Sequence, residues 1–186
     1  MNQVGQNIFL VGPMGSGKTT IGKQLAAMLK LEFFDCDHEL EQLTGASVNL
    51  IFDVEGEAGF RLRENRLLKH LTAKNGVLIS TGGGTVCNEE NRRLLRSRGF
   101  VVYLKTSVEQ QLRRLSQDKS RPLLQSPNRR QRLLDLARVR NPHYQATADL
   151  VFSTRNSSVH ASAKELMSAI LEQTDPLKTE SLHVDG

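Results

Sequence analysis

"NIFLV" at residues 7 to 11 runs straight into "GPMGSGKTT" at 12 to 20, and no other stretch of the chain limits the fold as tightly. Four consecutive apolar residues, Ile8 to Val11, ended by Gly12 read as a buried strand. Behind them Gly12, Gly17, Lys18 and Thr19 satisfy the pattern G-x-x-x-x-G-K-[S/T], with Gly15, Ser16 and Thr20 in or beside the same turn. Glycines let such a loop curl so that successive N–H groups face inward, and the helix that follows adds the positive end of its dipole. A lysine at the position of Lys18 reaches the β and γ phosphates of a nucleotide, and a hydroxyl at the position of Thr19 serves Mg²⁺. A strand, a phosphate cradle and a helix in this order belong to an α/β fold.

The rest of the chain repeats the theme. "EFF" (32 to 34), "GVLIS" (76 to 80), "FVVYL" (100 to 104) and "LVFS" (150 to 153) are further strand-like runs. Their hydrophobicity is continuous rather than alternating, as in strands covered on both faces of a parallel sheet. Helical periodicity places helices at about 17 to 29, 56 to 73, 88 to 97, 107 to 116, 128 to 146 and 157 to 173. The expected fold is α/β in three layers, a central five-stranded parallel sheet with helices on both faces. A length of 186 residues suits one domain, taken as residues 1 to 173. Residues 174 to 186, "TDPLKTESLHVDG", lack periodicity and read as a flexible tail, and "QDKSRPLLQSP" (117 to 127) reads as a mobile loop.

Composition removes several classes of function. No apolar run approaches the roughly 20 residues of a membrane helix, and the start lacks a basic stretch followed by an apolar one, so a cytoplasmic protein is expected. Cys36 and Cys87 lack the spacing of a zinc site and are expected to be reduced thiols. The net charge of +5 is concentrated between Arg92 and Arg140, where fourteen Lys/Arg face three acids, Glu109, Asp118 and Asp135. That surplus fits a polyanion, yet Phe100 and Tyr103 sit inside a strand-like run, and no base-stacking platform is visible. Most of these arginines read as a solvated helical face, and no specific nucleic-acid partner is expected.

A phosphate cradle alone does not say what becomes of the nucleotide. "DVEG" at 53 to 56 imitates one switch element of a GTPase, but no NKxD guanine-reading motif occurs. The chain is also short for a motor ATPase with assembly surfaces.

Six motifs in order carry a resemblance: "GPMGSGKT", "DCD" at 35 to 37, "FRLRE" at 60 to 64, "GGG" at 82 to 84, "RPLL" at 121 to 124 and "RNPHY" at 140 to 144. Over about residues 5 to 172 the chain resembles the shikimate kinases, small P-loop kinases of the nucleoside-monophosphate-kinase fold. The resemblance implies transfer of the γ-phosphoryl of MgATP to the 3-hydroxyl of shikimate, giving shikimate 3-phosphate and ADP in aromatic amino acid biosynthesis. It also implies a substrate-binding region at about 35 to 62, a lid at about 115 to 127, Mg²⁺ as cofactor and a monomer acting on ATP and shikimate.

The same resemblance distributes roles. Arg61 and Arg140 become a clamp for the acceptor's carboxylate, a task that suits the planar guanidinium fork. Arg63, two residues along a helix from Arg61, points elsewhere. Gly82, Gly83 and Gly84 lie beside the acceptor ring, where they allow close backbone approach. Arg121 swings in from the lid to join Lys18 at the transferring phosphate, and Arg114 and, more weakly, Arg155 pack near adenine. In extended chain Asp35 and Asp37 face one side, about 6.6 Å apart. Asp35 then holds Mg²⁺ with Thr19, and Asp37 takes the acceptor hydroxyl and its proton, with Cys36 turned away. The plainer reading makes Asp37 the N-cap of a helix over "HELEQL". The rivals are another small-molecule P-loop kinase, such as a gluconate kinase, and a nucleotide-gated nucleic-acid-binding protein.

Overall fold

Alternate residues of the first strand, β1 (Asn7–Val11), go to opposite faces of the sheet, and all five are buried. Ile8 and Leu10 pack against Leu25 and Leu29 of α1 (Lys18–Leu29) and Leu166 and Ile170 of α7 (Val159–Thr174). Phe9 and Val11 pack on the other face, against Leu40 of α2 (Cys36–Thr44), Leu68 and Leu71 of α3 (Val48–Thr72), Leu95 of α4 (Glu89–Arg98) and Tyr144 of α6 (Arg129–Thr147). Each such side chain withdrawn from water contributes about 1.5–3 kcal/mol, which is why a strand apolar on both faces is sandwiched between helices. The computed structural model describes residues 6 to 116, 128 to 155 and 157 to 174.

The sheet has five strands in the order β2-β3-β1-β4-β5, completed by β2 (Glu32–Asp35), β3 (Val77–Ser80), β4 (Gly99–Lys105) and β5 (Leu150–Ser153). Every pairing is parallel, with Leu10 opposite Ser80 on one side and Val102 on the other. This is the expected α/β architecture. Because the strands are parallel, the segments that follow β1, β2 and β3 all emerge at one edge, where ligands of such sheets bind.

Three local expectations need correction. β2 is an edge strand, with Glu32 exposed: Phe33 packs on one face of the sheet and Phe34 on the other, but both stay half-buried rather than fully buried. The segment 36 to 44 is helical, and its N-cap is Asp35 rather than Asp37: Asp35 Oδ1 accepts from the His38 N–H at 3.1 Å. Asp35 and Asp37 are therefore not two residues of one extended run, since Asp37 lies in the first turn of α2. Finally, α3 begins at Val48, capped by Ser47, and not at 56. Gly56 instead marks a sharp bend, with φ 69°, a left-handed value that glycine tolerates without a Cβ penalty. The bend folds the first arm of α3 back, so that Val48 and Phe52 approach Phe60 and Arg61 of the second arm. The Phe52 and Phe60 rings lie 4.4 Å apart. The expected loop at 117 to 127, with Arg121, and the expected tail beyond Thr174 lie outside the described residues.

Candidate active site

The loop after β1 closes on itself around its own lysine. Gly12, Gly15 and Gly17 all take positive φ, and α1 starts at Lys18 immediately after the last of them. Lys18 Nζ donates to the carbonyls of Gly12 at 2.8 Å and Pro13 at 2.9 Å, and lies 3.4 Å from Ser16 Oγ, which is fully buried. The ammonium thus sits over the mouth of the loop, with carbonyl contacts that phosphate oxygens would replace.

Next to it, the Thr19 hydroxyl donates to Asp35 Oδ2 at 2.5 Å and lies 3.5 Å from Ser80 Oγ. Hard oxygen atoms from three elements converge here, the donor chemistry that magnesium prefers. Among the described residues no three of His, Cys, Asp and Glu gather into a metal cage. The residues present fit Mg²⁺.

On the outer side of the loop, Gly15, Gly17 and Thr20 share a recess with Arg114 and Arg155. Arg114 Nη1 donates to the Gly15 carbonyl at 3.0 Å, which ties α5 (Val108–Arg114) to the cradle. Thr20 Oγ1 donates back to the Gly17 carbonyl at 3.3 Å. The two arginines, far apart in sequence, meet on one wall.

A second cavity lies on the inner side, lined by Asp37, Arg61, Glu64, Arg140 and the 82 to 84 glycines, with Val48, Phe52 and Phe60 as an apolar wall. Arg61 Nη1 donates to Glu64 Oε2 at 2.8 Å, and Nη2 lies 3.4 Å from Glu57 Oε1. Burial works against the Arg61 charge, but the Glu64 and Glu57 carboxylates outweigh it and raise the guanidinium's pKa. Gly84 approaches this arginine so closely that a Cβ there would lie 2.2 Å from Arg61 Nη2. Arg140 is only 7% exposed, and among the described residues it forms no ion pair. A buried guanidinium without a carboxylate calls for an anion from outside.

Arg63, by contrast, pairs with Glu55 on the exposed side of α3. Cys36 is buried in the core beneath the cavity. Burial first, then the nearby Glu64, Asp37, Asp35 and Glu39 carboxylates, push its thiol well above the ordinary range.

The sequence reading omitted three polar groups at this site. Glu64 is 1% exposed and anchors Arg61, while its other oxygen accepts from Thr85 Oγ1 at 2.6 Å. The i,i+3 spacing within "FRLRE" was the available signal for Glu64. Thr85 and Ser80 carried none, because only the fold brings them close to Glu64 and Thr19.

Comparison with known proteins agrees with this geometry. The family model described as shikimate kinase matches residues 14 to 172. A shikimate kinase of Histophilus somni is 52% identical over 174 residues, 93% of this chain and 97% of that protein. A solved shikimate kinase from Acinetobacter baumannii in complex with shikimate superposes with a TM-score of 0.88 at 46% identity, covering 90% of this chain and 94% of the other. A gluconokinase from Sinorhizobium meliloti superposes at 0.62 with 16% identity, covering 96% of this chain and 98% of that one, a likeness of fold alone.

Proposed function

The chain belongs to the shikimate kinase family, and from that premise we propose how its residues divide the transfer of the ATP γ-phosphoryl group to the 3-hydroxyl of shikimate. One observation carries the assignment: Arg140 is buried and, among the described residues, without an ion pair, in a cavity that also holds Arg61, Asp37 and three glycines. A small ring with one carboxylate and several hydroxyls answers each of those groups. Arg140 and Arg61 take the carboxylate, and the apolar wall of Phe52 and Phe60 takes the ring face. Asp37 accepts the hydrogen bond of the attacking hydroxyl and receives its proton as phosphate arrives.

The nucleotide lies along the other side of the loop. Its phosphates replace the carbonyl contacts of Lys18, its base lies against Arg114 and Arg155, and Gly12, Gly15, Ser16, Gly17 and Thr20 supply the cradle. Thr19 and Asp35 would hold Mg²⁺, which supplies charge neutralisation to the phosphate chain when bound. Such transfers proceed through a loose transition state, so the residues act mainly by alignment and by charge. Arg121, outside the described residues, completes the positive shell from a lid at about 115 to 127. The protein works as one domain and as a monomer, in the cytoplasm, where Cys36 and Cys87 stay reduced.

ADP release measured with shikimate, with gluconate and with no acceptor tests this directly. Shikimate alone should give turnover well above the background hydrolysis. Equal rates with gluconate would overturn the acceptor assignment.

A further inference from the structure

Tyr144 lies four residues beyond Arg140 on α6, hence on the same side of the helix, and it is fully buried. Its ring stacks on Tyr103, with centroids 5.1 Å apart and planes at 29°. Its hydroxyl donates to the Gly83 carbonyl oxygen, and the Arg140 guanidinium faces the same phenol oxygen. Tyr144 stands behind the acceptor cavity and not in it: Gly82, Gly83, Gly84 and Arg140 form the wall, while Tyr144 lines the adjoining recess with Met14 and Asn141.

The Gly83–Gly84 peptide is trans, so its N–H points opposite to its carbonyl. With the carbonyl held back by Tyr144, the Gly84 N–H is turned towards the cavity side. Among the described residues neither the Gly83 nor the Gly84 N–H donates to another group. Glycine on both sides of the bond leaves little steric resistance to a flipped peptide, which would aim a carbonyl at the substrate.

We infer that Tyr144 is a positioning residue for the acceptor, its hydroxyl holding the Gly83 carbonyl out of the cavity and seating Arg140 against the same glycine run. This rests on the reading that the cavity takes shikimate. Tyr144 touches no reacting atom; it sets which end of the peptide dipole the substrate meets.

Tyr144→Phe keeps the stacked ring and removes only the hydroxyl. Its KM for shikimate should rise about tenfold, the worth of one lost hydrogen bond, while its KM for ATP stays within about twofold. Tyr103→Phe removes a hydroxyl bonded to Asn141 Oδ1 at 3.4 Å and should leave both constants unchanged. A folded Tyr144→Phe enzyme with an unchanged shikimate KM overturns the inference. A wild-type enzyme that does not phosphorylate shikimate overturns the reading of the cavity instead. The chain has only two tyrosines, so 3-fluorotyrosine in a Tyr103→Phe background gives a single fluorine resonance from Tyr144. That resonance should shift on adding shikimate and not on adding ADP, and a resonance that ignores saturating shikimate equally overturns the inference.

Discussion

The Thr19 hydroxyl donates to Asp35 Oδ2 at 2.5 Å, joining the first turn of α1 to the end of β2. The other oxygen of the same carboxylate caps α2 through the His38 N–H. One side chain thus serves the proposed metal site and the helix that carries Asp37. Asparagine caps a helix about as well as aspartate, whereas alanine costs about 1 kcal/mol. Asp35→Asn should therefore melt close to wild type yet need about tenfold more Mg²⁺ for half-maximal rate, and Asp35→Ala should also lose stability. Magnesium titrations and thermal melts of both variants separate the two roles.

Asp37 lies in the first turn of α2, two residues beyond β2, lining the cavity that Arg61 and Arg140 share. Asp37→Asn keeps the shape but cannot take a proton. Its kcat should fall at least about 100-fold while nucleotide binding persists. Turnover within about fivefold of wild type would rule out a proton acceptor at this position.

Arg140 and Arg63 make a matched pair of tests. Arg140→Lys loses the two-pronged fork at a buried site, so KM for shikimate should rise about 10- to 100-fold, about 1.4–2.8 kcal/mol. Arg63 is engaged by Glu55 on the solvent side of α3, where screening by water leaves such a pair with little effect on stability. Arg63→Lys should leave the kinetics unchanged. Steady-state assays at varied shikimate decide it.

Gly84 reports on Arg61. A methyl group there meets Arg61 Nη2 at 2.2 Å and Cζ at 2.6 Å, and the cheapest relief is to move the arginine tip. Gly84→Ala should raise KM for shikimate about tenfold with a small change in melting temperature. A variant that melts much lower and binds normally would show that the backbone yielded instead.

The two cysteines should react very differently. Cys87 is exposed; Cys36 is buried, and its thiol is raised by that burial and by four carboxylates. Raising the pKa keeps the neutral thiol through the alkaline range in which an ordinary cysteine, near about pH 8.5, becomes a reactive thiolate. Iodoacetamide should modify Cys87 promptly and Cys36 only after denaturation, as peptide mass analysis would show.

Much of the fold was legible because its signals are local. "NIFLV" before "GPMGSGKTT" announces strand, loop and helix in one run, and the later strands declare themselves by continuous apolar character. The misses were local rules set by distant neighbours. "EFF" reads as a buried strand, yet β2 is at the sheet edge because no strand follows it in the order. Asp35 and Asp37 look like one extended pair, yet α2 begins between them and gives the cap to Asp35. Arg61 was legible as a site residue by resemblance, while its anchor Glu64 was overlooked and the Thr85 hydroxyl that steadies Glu64 had no signal at all.

The sequence by itself determined the phosphate cradle, the parallel α/β frame and the residue types of the site, since each follows from adjacent residues and their spacing. Tertiary structure alone decided that Arg140 is buried beside the glycine run, that Arg114 and Arg155 share a wall, and that Tyr144 holds Gly83. Those arrangements depend on strand order, and they join residues as far as 61 positions apart for Tyr144 and Gly83 and 99 for Arg114 and Gly15. Local chemistry chooses the groups, and parallel pairing brings the ends of β1, β2 and β3 to one edge, where those groups meet.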